Sequence, residues 1–158
     1  MTKVKPYDWT QFRMKIEIKA PPSKVYRAWT DSNLITKWFT VKAHVIPKKG
    51  GRLFFQWLGG DKLEDKVIAA RKNSLFHFPF GSKGEQVKIK IKKIKGGSLV
   101  ELHQYNMKTD PRSKVYMHMG CMSGWTFFLT NLKSYLENNI DLRSHNPRKS
   151  YKQGFLNS

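Results

Sequence analysis

The chain has 158 residues, of which 39% are hydrophobic and 26% are charged, a composition typical of one globular domain and not of a disordered chain. Thirty Lys and Arg stand against eleven Asp and Glu, so the formal net charge is +19, which attracts anionic partners without specifying a fold. A single cysteine, Cys121, excludes an internal disulfide, and neither a signal peptide nor a transmembrane segment of about 18 apolar residues is found. The expected location is the cytoplasm.

The first two thirds of the chain alternate between apolar and polar residues, which predicts strands. A long half-buried strand over 12–20 comes first, and Pro21 and Pro22 end it. Two short helices follow, over about 23–29 and 34–39, with a capping run at Asp31 between them. Further strands are predicted over about 41–45, 53–57, 62–70, 74–80, 87–91 and 100–104, a spacing typical of an antiparallel meander.

The last third changes to a helical period. Apolar residues recur every three or four positions, which predicts one amphipathic helix over about 113–139. Gly120 and Gly124 lie in its first half, where they permit close approach of a strand or leave space beside the helix. After Leu142 the sequence becomes polar and basic. We therefore predict a domain over 1–143 and a basic C-terminal tail over 144–158, anchored by Tyr151 and Phe155.

Three segments carry a resemblance to a known superfamily: residues 16–39, the Gly50-Gly51 pair that opens an alternating strand, and residues 124–143. They resemble the START-like, Bet v-type helix-grip superfamily (SRPBCC), and within it the branch named after the C-terminal domain of the activator of heat-shock protein 90 ATPase. The resemblance spans about residues 12–143. It implies an α+β helix-grip fold: a curved antiparallel sheet of six or seven strands wrapped around a long C-terminal helix, with two short helices after the first strand.

The fold implies a ligand cavity, because a strongly bent sheet is not filled by its own side chains. We expect an apolar or amphipathic, lipid-like small molecule between the sheet and the C-terminal helix, with no cofactor. The alternative for each apolar lining residue is plain core packing, since apolar stripes usually form core. The residues predicted to contact the ligand are Phe39, Phe55, Trp57, Phe78, Leu102, Gln104, Met122, Trp125 and Leu129.

Catalytic and metal chemistry find little support in the residue pattern. His118 and Cys121 are three apart on the predicted helix, but two ligands are too few for a zinc site, so no metal is predicted. Glu101 and His103 share one strand face that the alternation turns toward solvent, so no catalytic residue is predicted. An enzyme of the cyclase or hydrolase kind that the superfamily hosts remains an alternative without a convergent acid–base pair.

A second functional hypothesis comes from the basic residues. Lys88, Lys90 and Lys92 point to one side of a predicted strand, opposite Val87 and Ile89. Such a stripe would attract an acidic protein, a chaperone or the phosphates of nucleic acid. The simpler explanation is a solvated face that prevents edge-to-edge aggregation. Along the chain no aromatic residue interleaves with these lysines, so the sequence offers no support for base stacking.

Overall fold

The computed structural model describes residues 2–156, so Met1 of the predicted domain and residues 157–158 of the predicted tail lie outside it. The element order confirms the predicted α+β helix-grip class. The elements are β1 (Phe12–Ile18), α1 (Pro22–Thr30), α2 (Ser32–Ile35), β2 (Lys42–Val45), β3 (Arg52–Gln56), β4 (Lys62–Lys66), β5 (Ala69–Arg71), β6 (Leu75–Pro79), β7 (Gln86–Ile94), β8 (Gly97–Tyr105), α3 (Pro111–Ser113), a π-helical segment (Lys114–Met119), α4 (Gly120–Asn138) and a 3₁₀ turn (Tyr151–Gln153).

The strands form two hydrogen-bonded groups, both antiparallel. Five strands follow the order β1-β8-β7-β6-β5, and three follow the order β2-β3-β4. In β8 the alternation is complete, because Ser98, Val100, Leu102 and Gln104 are buried while the residues between them are half-buried. One face of the larger sheet therefore turns toward the core and the other turns away from it.

The single strand predicted over 62–70 is wrong, because this segment forms two strands in different groups. β4 pairs with β3, and β5 pairs with β6. The N–H of Val67 donates to the Gly51 carbonyl at 2.8 Å, whereas the next N–H, of Ile68, donates to the His77 carbonyl at 2.9 Å. The chain thus changes its pairing partner within one residue, and the described chain has eight strands where six or seven were predicted.

The core is dominated by aromatic rings from α1, the turn after α2, the sheet and α4. Trp29 contacts Trp38 edge-on at 4.7 Å between ring centroids, and Phe39 stacks on Trp125 at 5.2 Å. All four rings are at most 2% exposed. Edge-to-face and offset contacts of this kind add specific geometry to the burial of a large apolar area, so the rings fix how α1, α2 and α4 meet.

A polar clip joins the end of α4 to the loop between α2 and β2. Arg143, which is buried, donates to the Thr40 carbonyl at 2.9 Å and to the Thr36 carbonyl at 2.8 Å. Its guanidinium also donates to Asp141, with 2.9 Å between Nη2 and Oδ2. Asn131 of α4 is fully buried and donates to the same carboxylate at 3.0 Å. The clip positions the start of the C-terminal segment.

Candidate functional site

A cavity of about 740 Å³ lies between α4, the turn that joins β3 to β4, and the C-terminal residues 150–156. Aromatic rings from four parts of the chain form much of its wall. Phe39 contacts Trp57 at 5.4 Å and Phe128 at 4.9 Å between ring centroids, and Phe80 contacts Trp125 at 4.9 Å. The wall therefore offers flat apolar surfaces of the kind that bury the body of a small molecule.

The α4 side of the cavity is open because two glycines carry no side chain there. Gly120 and Gly124 both line the cavity, and a Cβ placed at Gly124 would meet nothing within 4 Å. Glycine lowers helix propensity by about 1 kcal/mol relative to Ala, so the helix keeps these residues at a cost in stability. Of the two roles that the sequence allowed for Gly124, the geometry shows empty space beside the helix.

The C-terminal segment covers the mouth of the cavity. Tyr151, Lys152 and Leu156 line it from one side, and Gly59 and Asp61 of the β3–β4 turn line it from the other. The Lys152 ammonium lies 3.3 Å from an Asp61 carboxylate oxygen, and both side chains are well exposed. This ion pair connects the two sides of the mouth with little net energy, since exposed pairs contribute about 0–1 kcal/mol.

Three of the nine residues predicted to contact a ligand line this cavity: Phe39, Trp57 and Trp125. The other six do not line it, because side chains of the sheet and of α4 fill the space between the sheet and this helix. The buried amide of Gln104, for example, accepts a hydrogen bond from the Trp125 indole at 2.8 Å. The six residues outside the cavity lining are Phe55, Phe78, Leu102, Gln104, Met122 and Leu129.

Several lining residues were not predicted from the sequence. Phe80 continues the alternation of Phe76 and Phe78, so this signal was present in the pattern. Phe128 lies beside the predicted helical stripe, and Leu156 lies in the tail, where no periodic signal exists. The cavity is therefore displaced from the expected gap between sheet and helix toward the tail and the β3–β4 turn.

A group of buried polar side chains lies behind the cavity wall at Cys121. Glu85 is 1% exposed; its Oε2 accepts from the Lys83 N–H at 2.7 Å, while its Oε1 has no hydrogen-bond partner within residues 2–156. Burial raises the pKa of the Cys121 thiol to about 11, although the neighbouring Gln104 side chain acts in the opposite direction. Cys121 thus carries a proton at neutral pH.

We expect Cys121 to react slowly with iodoacetamide at about pH 8, because only about one thiol in a thousand is then ionised and the thiolate is the nucleophile. The rate is measured by mass spectrometry on the native chain and on the chain unfolded in guanidinium. Unfolding should accelerate the reaction at least tenfold, since an ordinary cysteine has a pKa of about 8.5. Equal rates in the two states would contradict the raised pKa of the half-buried thiol.

The residues considered for metal binding or acid–base chemistry have other partners. His118 uses both ring nitrogens: Nδ1 lies 2.9 Å from the Trp9 carbonyl, and Nε2 lies 2.7 Å from the Tyr7 hydroxyl. Within residues 2–156, no three His, Cys, Asp or Glu side chains are grouped closely enough to hold a metal ion. Glu101 accepts a hydrogen bond from Arg13 at 3.1 Å, on the sheet face that turns away from the core.

The predicted basic stripe lies on that same outer face. Lys88 is half-buried, whereas Lys90 and Lys92 are exposed, and the three alternate with Val87, Ile89 and Ile91, which are buried. The structure therefore separates the two groups of predicted binding residues. The aromatic residues predicted to contact a ligand face the core and the cavity, whereas the three lysines face outward. The helices within residues 2–156 all fall short of the length and hydropathy that a membrane-spanning helix requires.

Similar folds occur among solved structures. The protein SSP2350 from Staphylococcus saprophyticus is 20% identical, with a TM-score of 0.74 over 85% of this chain and 96% of that one. The Aha1 dimer from Colwellia psychrerythraea is 22% identical, with a TM-score of 0.70 over 81% and 96%. DynU16, a protein of the dynemicin biosynthetic locus, is 19% identical, with a TM-score of 0.72 over 86% of this chain and 50% of that one. At these identities the similarity shows the fold alone.

A search among curated proteins found no match. A family model, described as activator of Hsp90 ATPase homolog 1-like protein, matches residues 19–137, which is most of the chain. This range begins at the end of β1 and includes the two short helices, the remaining strands and nearly all of α4. The match confirms the resemblance read from the sequence. The chain belongs to the activator of Hsp90 ATPase homolog 1-like family within the START-like helix-grip superfamily.

Proposed function

We propose that the chain binds an apolar or amphipathic small molecule in the cavity between α4, the β3–β4 turn and the C-terminal segment. The observation that carries the proposal is the size and lining of this cavity. Its volume of about 740 Å³ falls within the range of about 300–1,000 Å³ for small-molecule sites, and its wall is rich in aromatic rings. Folds of this superfamily commonly bind ligands, which supports the same conclusion.

The proposed ligand has an apolar body and a polar end. Its body would contact the rings of Phe39, Trp57 and Trp125, since the only charged side chains in the described lining, Asp61 and Lys152, lie at the mouth. Its polar end would lie at the mouth, close to Asp61 and Lys152, since both are exposed and keep their contact with water. Fatty acids, sterols and flavonoids all have this division between an apolar body and a polar end.

The test is a titration of ¹⁵N-labelled protein with a fatty acid, a sterol and a flavonoid, followed by two-dimensional NMR. A cavity ligand should shift the indole N–H signals of Trp57 and Trp125, and the backbone signal of Gly124. The amide signals of Lys90 and Lys92, on the outer sheet face, serve as the internal control and should stay in place. Shifts restricted to that outer face, or none with any of the three ligands, would refute the proposal for these classes.

Removal of the C-terminal segment from residue 150 onward is expected to weaken binding about tenfold and to accelerate dissociation, because the ligand loses the apolar contacts of Tyr151 and Leu156. The matched control is Gln153→Ala in the full-length chain, because Gln153 is an exposed residue of the same segment that does not line the cavity, and affinity should change by about twofold or less. Dissociation rates are measured by stopped-flow fluorescence. If the truncated chain binds as the full chain does, the segment is not part of the site.

A further inference from the structure

The outer face of the five-stranded sheet is a second surface with its own chemistry. The helices pack on the opposite side, where α1 contacts β6, β7 and β8, and α4 contacts β1. Side chains from neighbouring strands meet in rows across the outer face, as the register shows. In one row Lys88 stands between His77 of β6 and His103 of β8, and Arg13 of β1 comes next.

The face carries more positive than negative charge. Glu101 accepts contacts from both Arg13, at 3.1 Å, and Lys15, at 3.6 Å, so its charge is already shared. No carboxylate of the described residues forms an ion pair with Lys88, Lys90 or Lys92, which occupy alternate positions of β7 on this face; Lys90 and Lys92 are exposed and Lys88 is half-buried. The face thus has six cations, Arg13, Lys15, Arg71, Lys88, Lys90 and Lys92, against two acids, Glu17 and Glu101.

Aromatic groups lie beside these lysines, although they are distant from them along the chain. His103 and Tyr105 stack with 4.7 Å between ring centroids, and the Lys88 ammonium lies 5.6 Å from the centre of the Tyr105 ring. The Tyr105 hydroxyl lies 2.7 Å from Gln86 Oε1 and 2.8 Å from His77 Nε2. Burial lowers the pKa of both His77 and His103, so near pH 7 these rings are neutral groups that hydrogen-bond and stack.

A polar groove of about 600 Å³ continues from this face at the ends of β1 and β8. His103 and Tyr105 belong to both the face and the groove. Lys83 and Lys108, both exposed, supply cations, and the side-chain amide of Asn106 supplies a hydrogen-bond donor and acceptor. The Gln11 amide positions the His103 ring, because its Oε1 lies 2.7 Å from His103 Nε2 while its Nε2 donates to Asp8 at 2.8 Å. The groove therefore combines positive charge, neutral rings and an amide group within one concave surface, a set that suits a nucleotide.

We infer that the outer sheet face and this groove together bind single-stranded nucleic acid, with the backbone along Lys88, Lys90 and Lys92 and one nucleotide in the groove. Phosphates match the cations, and a base matches the Asn106 amide and the His103–Tyr105 pair. A duplex fits less well, because the surface offers no helix or ribbon to enter the major groove. An acidic protein would use the lysines but would leave the nucleotide-sized groove without an occupant.

The first test measures binding of a fluorescein-labelled uridine oligonucleotide of about twelve nucleotides by anisotropy, at about 50 and 200 mM KCl. The triple variant Lys88→Glu, Lys90→Glu, Lys92→Glu should bind about a hundredfold more weakly than wild type. The slope of log affinity against log salt concentration should decrease by about 2, since each phosphate contact adds about 0.7.

The control triple variant Lys48→Glu, Lys49→Glu, Lys72→Glu changes the net charge by the same amount at exposed positions elsewhere. It should weaken binding by less than about tenfold. Equal losses in the two triples would overturn the assignment to this face.

The second test asks whether bases are recognised. Wild type should bind the uridine strand about tenfold more tightly than an abasic strand of the same length, because stacking of one base contributes about 1–3 kcal/mol. His103→Leu should remove this preference while retaining the salt dependence. If the abasic strand or a poly-glutamate peptide of equal charge binds as tightly as the uridine strand, the face is a general polyanion or acidic-protein surface and the inference fails.

Discussion

Replacement of Gly124 by Leu is expected to abolish binding of the small molecule without unfolding the chain. The new side chain enters open space, because a Cβ at this position has no neighbour within 4 Å, and that space belongs to the cavity. Leu also favours the helix by nearly 1 kcal/mol relative to Gly, so the free energy of unfolding should stay the same or rise. Affinity is measured by calorimetry with a ligand identified in the NMR titration, and stability by urea denaturation.

Gly124→Ala is the matched control, since it raises helix propensity as Leu does but adds only one methyl group to the cavity. The Ala variant should keep its affinity within about threefold, whereas the Leu variant should lose at least a hundredfold, equivalent to about 2.7 kcal/mol. If both variants bind like wild type, the ligand lies elsewhere. If both lose binding equally, a change in α4 and not occlusion is responsible.

Replacement of Asp141 by Asn is expected to cost about 3 kcal/mol of stability, the largest effect that we predict for a single polar side chain. Arg143 then remains buried without its carboxylate partner, and the amide keeps only one acceptor oxygen, so its NH2 group faces either the Arg143 guanidinium or the Asn131 amide donor. For a chain of this size, such a loss lowers the Tm by about 6–12 °C. The control is Glu64→Gln, which removes an exposed pair with Arg52 and should cost less than about 0.5 kcal/mol. Similar costs for the two variants would refute a special role of the clip.

Wild type and Asp141→Asn also differ in how their stability depends on pH in the acid range. Burial raises the pKa of Asp141, but hydrogen bonds from Arg143 and Asn131 outweigh it and bring the pKa down to about 2, below the ordinary value of 3.8. Because the folded-state pKa is the lower one, the stabilisation is complete above about pH 4 and is lost as the pH falls toward 2. Asp8, Asp110 and Glu137 also have lowered pKa values, so the wild-type curve contains several contributions. The difference between wild type and Asp141→Asn isolates one of them and should shrink between pH 4 and 2.

Local patterns were sufficient to predict most of the elements and their order, and the family resemblance implied how they are arranged. The alternation over 12–20 and 87–91 depends only on which face of a strand is buried, and the apolar spacing after residue 113 depends only on the helical period. These signals survive in any tertiary arrangement that buries one face of each element. The order of elements and the family resemblance therefore agreed with the structure, including the two short helices that follow β1.

Those patterns do not predict which strands pair with each other or where a cavity lies. The alternation over 62–70 continues smoothly through Val67, yet the backbone there moves from one partner strand to another, which depends on hydrogen bonds to distant residues. The Arg143 clip combines carbonyls of residues 36 and 40 with a carboxylate that lies a hundred positions later, and nothing in the local sequence marks it.

By itself the sequence determined most of the element types and their order, the outward direction of Lys88, Lys90 and Lys92, and the excess of positive charge. Only the tertiary structure decided that most of the predicted lining is solid core and that the open space lies beside Gly124 and the tail. Only strand register brought His103 and Tyr105 next to Lys88. The physical reason is that burial of a face is a local property of each element, whereas empty volume and cross-strand neighbours depend on how separate elements pack against each other.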